Sequence, residues 1–149
     1  MNIDLLKDLC ETPGVPGREH RVRELIAREI EGLFDHVETD AMGSLLCRRD
    51  AGKGAKDAPR IMLLCHMDEI GFLVSHVSKE GFLYLQPVGG FDPRNLFSRR
   101  VLVCTDQGDL KGVMTPGGEP IPTSSDEDRQ KKPEVLEVYT QQHARRHPR

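Results

Sequence analysis

The apolar positions of this chain change their period twice. Ile3, Leu5, Leu6 and Leu9 cluster behind Asn2 and Asp4, and either polar residue can cap a short first helix with its side-chain oxygen. Thr12-Pro13-Gly14 stops that helix, because proline disfavours helical backbone in the residue before it and glycine readily takes positive φ. Val15-Pro16-Gly17 continues as a turn. Across residues 18–34, Val22, Leu25, Ile26, Ile30 and Leu33 recur at helical spacing with Arg and Glu opposite them, which predicts an amphipathic helix with one buried face. Beyond it the period shortens. Val37–Thr39 and Leu45–Arg48 read as strands around Asp40-Ala41-Met42-Gly43, where Gly43 favours a tight turn.

Residues 50–59 are rich in Ala, Gly and Lys and predict an exposed loop. Ile61-Met62-Leu63-Leu64-Cys65 is a continuous apolar run, the pattern of a strand buried on both faces of an α/β sheet. After residue 70 helical periodicity is lost. Gly71–Val77, Phe82–Gln86, Arg100–Thr105 and Leu110–Met114 read as strands, separated by turn sequences such as Ser78-Lys79-Glu80-Gly81 and Asp92-Pro93-Arg94-Asn95. Short strands at this spacing predict a small antiparallel β-barrel or sandwich, and the change of period places a domain boundary near residue 70. From Thr115 the chain reads as a long loop with one helical turn starting at Ser125, then a last strand over 134–140. Residues 141–149 carry almost nothing to bury and are expected to be a disordered basic tail. The expected division is therefore 1–70, 71–140 and 141–149.

Composition narrows the function classes. At 149 residues the chain can form one ordinary domain or two small ones. A net charge of -3 gives no reason to expect nucleic acid or an anionic membrane as partner. No apolar run approaches a transmembrane helix, and the start, MNIDLLKDLCETPG, lacks a basic n-region and an uninterrupted h-region, so a cytoplasmic protein is expected. Of Cys10, Cys47, Cys65 and Cys104 none forms a C-x-x-C pair and three lie in apolar stretches, which predicts buried, reduced thiols rather than a disulfide framework or zinc knuckle.

The residues with chemistry follow the apolar run directly: Cys65-His66-Met67-Asp68-Glu69-Ile70-Gly71-Phe72. Ligands of open α/β sheets bind at the carboxyl ends of strands. A neutral imidazole there can ligate a metal. In extended backbone Asp68 falls on the same side as His66, where its carboxylate can accept the other ring N–H and fix the tautomer. Glu69 falls on the opposite side. On spacing alone the same pair also describes a hydrogen-bonded structural histidine, which is the commoner case, and the sequence displays no other metal-ligand cluster. His20 and His36 flank the second helix as exposed residues, and His76 reads as a surface or packing residue of a strand. His143 and His147 stand at i, i+4 but lack the following Glu and the helix of a zincin pair.

The octapeptide Cys65–Phe72 resembles the A/G-H-M-D-E-I-G-F/L signature of the tetrahedral (TET) dinuclear metallo-aminopeptidases, whose members carry the names glutamyl or deblocking aminopeptidase and endoglucanase. Residues 12–19, TPGVPGRE, resemble that family's S-G-V-S-G-x-E start, and residues 39–45, TDAMGSL, its D-x-x-G-N-L turn. Val88-Gly89-Gly90-Phe91-Asp92 and Gly112-Val113-Met114 resemble its later strands, in order, so the likeness runs to about Val138.

The resemblance implies an α/β/α metallopeptidase domain, incomplete here, interrupted by a small β-domain that mediates dimerisation. It implies two divalent ions, zinc or cobalt, that polarise a peptide carbonyl and generate hydroxide. By position, His66 would ligate one ion and Asp68 would be the catalytic-site residue that orients it. A bridging Asp, a Glu general base, further carboxylate ligands and a second His would follow the β-domain, beyond residue 149. A family His near Pro122 and an acidic D-x-G after Tyr139 are not matched. The expectation is a truncated homologue, inactive alone, since a catalytic site normally takes three protein ligands. Short peptides would be the parent substrates. The alternative is a non-catalytic assembly module, pairing with itself or with a full-length paralogue through the β-domain. A glycosidase is disfavoured, because no pair of carboxylates flanks a sugar site.

Overall fold

The computed structural model describes residues 2–53, 57–96, 98–116 and 136–140. They fall into two compact units, Met1–Glu69 and Ile70–Arg149.

In the first unit α1 spans Ile3–Glu11 and α2 spans His20–Glu29. The Asn2 side chain accepts the Leu5 N–H at 3.2 Å, satisfying one of the orphan donors of the first turn. Thr12 closes the helix by donating its N–H and its hydroxyl to the Asp8 carbonyl at 3.0 and 2.6 Å. In α2 the buried residues are Val22 and Leu25. The helix ends earlier than the apolar pattern predicts. Gly32 adopts φ 74°, a left-handed backbone through which a helix does not continue, and Leu33 and Phe34 lie exposed.

Strands β1 (His36–Thr39) and β2 (Leu45–Arg48) form a two-stranded antiparallel sheet with Val37 opposite Cys47. Their turn is held by the Asp40 carboxylate, which accepts the Met42 and Ser44 N–H groups at 2.9 and 2.8 Å. Gly43 sits at φ 91°, and a Cβ there would lie 2.9 Å from Arg23 Nη1, the same atom that donates to the Gly43 carbonyl at 3.0 Å. A side chain at 43 would displace that guanidinium tip, and the positive φ by itself favours glycine.

The run Ile61–Cys65 departs from the sequence expectation. Its residues form no strand, and Ile61, Met62, Leu63 and Leu64 are between 78 and 87% exposed rather than buried on two faces. A two-faced burial needs neighbouring strands on both sides, and among the described residues none pairs with this segment. The cysteines need the same correction. All four are exposed. Helix α1 buries none of its residues, and β2 exposes every residue after Leu45, so an apolar neighbourhood in sequence does not become an interior.

The second unit is one antiparallel sheet of order β3-β4-β7-β6-β5, formed by β3 (Gly71–Val77), β4 (Leu83–Val88), β5 (Arg100–Val103), β6 (Leu110–Pro116) and β7 (Leu136–Thr140). The turn after Phe91 contains a short 3-10 helix, Pro93–Leu96. A bulge in β3 between Val74 and His76 shifts the register against β4. β7 completes the sheet by pairing Val138 with Leu83 on one side and Met114 on the other. Met114 and Val138 are consequently the buried centre, with Phe72, Leu83, Leu85, Leu96, Val101 and Val103 packed on them. Phe72 also meets Phe91 edge-on at 5.1 Å. Among the described residues β3 and β5 remain edges, so the sheet is open where a barrel or sandwich was expected. The 117–135 loop, with the helical turn at Ser125 and the position near Pro122, and the 141–149 tail lie outside the described residues.

Candidate metal-ligand site

His66 and Asp68 follow the exposed apolar run, and the structure brings them together. His66 Nδ1 lies 2.9 Å from the Asp68 carbonyl oxygen and 3.1 Å from its carboxylate Oδ1. Both partners can only accept, so in the neutral ring the proton belongs on Nδ1 and Nε2 keeps the lone pair. The His66 side chain is 84% exposed, so packing does little to orient the ring. An imidazole with a carboxylate and a carbonyl behind Nδ1 is chemically suited to ligate a divalent ion through Nε2.

Glu69 is held elsewhere. Its N–H donates to the Gly14 carbonyl at 2.8 Å, and its carboxylate accepts the Gly14 N–H at 3.4 Å. Nothing in the sequence signals that contact, since the two residues are 55 positions apart. Gly14 is buried, and a Cβ added to it would lie 2.8 Å from Val22 Cγ1 and 3.5 Å from the Met67 carbonyl oxygen.

The other candidate residues do not join the pair. His20 and His36 are exposed, and His36 Nε2 lies 3.3 Å from the Asp50 carboxylate, which Arg48 also approaches at 3.0 Å. His76 is on β3 with its ring 5.7 Å from that of Tyr84. His143 and His147 lie outside the described residues. Among the described residues no three His, Cys, Asp or Glu side chains converge to hold a metal. No described helix is long and apolar enough to cross a membrane.

A mixed α/β chain with antiparallel sheets is a fold shared with the TET aminopeptidases. The structure matches a TET aminopeptidase from a marine-sediment Thaumarchaeota archaeon with a TM-score of 0.77 and 29% identity, covering 97% of this chain and 41% of that one. It matches the Pyrococcus horikoshii TET1 peptidase, a protein that can assemble into a tetrahedron or a large octahedral shell, with a TM-score of 0.73 and 32% identity, covering 99% and 44%. In sequence, FrvX of Escherichia coli is 35% identical over 135 residues, which are 89% of this chain and 35% of FrvX. The M42 glutamyl aminopeptidase family model matches residues 43–147. The chain belongs to that family. It spans about a third of the length of the curated relatives it matches.

Proposed function

We propose that this chain carries one ligand arm of a dinuclear metallo-aminopeptidase, with His66 Nε2 as the ligand and Asp68 as the residue that orients it. The observation that supports this reading is the pair of acceptors behind His66 Nδ1, which in the neutral ring place the lone pair on Nε2. Zinc or cobalt bound by a full ligand set would polarise the scissile carbonyl of a short peptide and supply the nucleophile. The described residues of this chain hold and orient one imidazole and do nothing further toward that reaction. On this reading residues 1–70 are the first part of an α/β/α catalytic domain, and 71–140 are an inserted β-domain that contacts other subunits in the cytoplasm.

By itself the chain is proposed to be inactive. Turnover of amino-acyl p-nitroanilides with added zinc or cobalt is the test. Background hydrolysis is expected, together with a zinc-dependent shift of the His66 ring resonances. Robust hydrolysis lost on His66→Ala but not on His76→Ala would show that a complete centre forms. A His66 ring indifferent to zinc would remove the ligand assignment. The open sheet favours a second reading, an assembly module, because among the described residues β3 and β5 are edges that another subunit's strand could extend. Light scattering of the chain with a full-length family member decides that reading, and a mixture that stays unassociated ends it.

A further inference from the structure

We infer that the Gly14–Glu69 contact is a positioning clasp for the His66 imidazole, through which the turn between α1 and α2 sets which ring nitrogen carries the proton in the neutral form. This rests on the reading of His66 as a ligand arm. The link is a single peptide group. The N–H of Glu69 and the C=O of Asp68 belong to one planar trans unit, so fixing the direction of one fixes the other. Gly14 accepts that N–H at 2.8 Å, and the opposite end of the same plane accepts His66 Nδ1–H at 2.9 Å. The three groups form a head-to-tail chain in which each hydrogen bond polarises the next. Rotating the plane would withdraw the carbonyl from the ring and leave the Asp68 carboxylate, at 3.1 Å, as the remaining acceptor.

Two further observations make the clasp directional. The Glu69 carboxylate takes the N–H of the same Gly14, so both polar groups of that residue are engaged by one partner. Gly14 is also the only residue type that fits, because a Cβ would sit 2.8 Å from Val22 Cγ1 of α2. Val22 is among the few buried side chains of its unit, at 4% exposure, and cannot easily move aside. The mostly exposed His66 has no comparable packing of its own. Gly14 and Glu69 touch neither metal nor substrate; they are positioning residues.

The test reads the His66 tautomer by nitrogen-15 NMR of the metal-free 149-residue chain at about pH 8, above the ordinary imidazole range. Wild type is expected to show His66 protonated on Nδ1, with exposed His20 as the internal reference. Glu69→Pro removes the N–H donor, and Gly14→Ala displaces the acceptor. Each is expected to lower the Nδ1–H fraction of His66, short of the mixture at His20, because the Asp68 carboxylate remains an acceptor. Gly14→Ala combined with Val22→Ala frees the space that the new Cβ needs and is expected to restore the Nδ1–H form, which a general loss of structure would not do. A His66 that stays on the Nδ1–H tautomer in folded Glu69→Pro or Gly14→Ala overturns the inference. Should Gly14→Ala not fold, Glu69→Pro alone decides. A zinc titration of the same samples separates the two ideas: a His66 ring indifferent to zinc ends the ligand reading, and the tautomer shift still tests the clasp.

Discussion

Replacing Leu63 and Leu64 by lysine perturbs a continuous run of four apolar residues that the first unit leaves uncovered. Ile61, Met62, Leu63 and Leu64 are between 78 and 87% exposed. Complete burial of such a side chain is worth about 1.5–3 kcal/mol, so the run leaves about 7 kcal/mol per chain unrealised. Packing two copies face to face covers roughly one face of each run and recovers about 7 kcal/mol per pair. Association costs upward of about 4 kcal/mol before side chains are ordered. The surplus is a few kcal/mol at most, which corresponds to weak, millimolar-range association rather than a tight dimer. Light scattering across a concentration series should therefore show a mass that rises with concentration, accompanied by binding of an apolar dye. Leu63→Lys with Leu64→Lys removes about half of the apolar gain, on the order of 3 kcal/mol, and should weaken association by about a hundredfold. The melting of the second unit should not change, since neither residue belongs to its core. A chain that stays monomeric and dye-free at the highest concentrations, or a double variant that associates like wild type, would refute the reasoning.

Met114→Ala should destabilise the second unit by about 2–4 kcal/mol, because a fully buried side chain leaves a cavity between β7 and β5 that a thin core fills poorly. Thermal unfolding followed on that unit's resonances checks it, and a loss below about 0.5 kcal/mol would contradict the assigned core. The Asp40 carboxyl is held below the ordinary aspartate range, chiefly by the Ser44 N–H and with help from Met42. A folded pKa below the unfolded one contributes stability above the unfolded value and loses it as pH falls through the folded value. The β1–β2 turn should thus loosen only on acidification below about pH 4, the ordinary aspartate value. Amide exchange at Ser44 across that range measures it, and Asp40→Asn should remove the pH dependence.

Local structure was legible wherever a side chain and its neighbours in sequence decide it. Asn2 capping α1 and Gly43 turning between β1 and β2 are short-range matters of hydrogen bonding and backbone freedom. The period of two gave β3 in full, and β4 to β7 to within a few residues at their ends. The motif from Cys65 to Phe72 announced the His66–Asp68 pair, because two residues apart is a local distance. The limits of the reading were physical as well. Helix α2 stops before the apolar pattern does, since a single left-handed Gly32 outweighs a further turn of weak amphipathicity. Ile61–Cys65 reads as buried from its composition, yet burial belongs to the neighbours that cover a residue and not to the residue.

By itself, then, the sequence determined the two helices and the strands β1 to β7 to within a few residues, the turn at Gly43, the family and the histidine with its carboxylate. Only the tertiary structure decided that β7 lies between β4 and β6, that four large aliphatic residues face water, and that Glu69 reaches back to Gly14. Each of these joins or exposes residues far apart in the chain, through contacts whose energy depends on what arrives opposite, and no local pattern of apolar and polar positions encodes that.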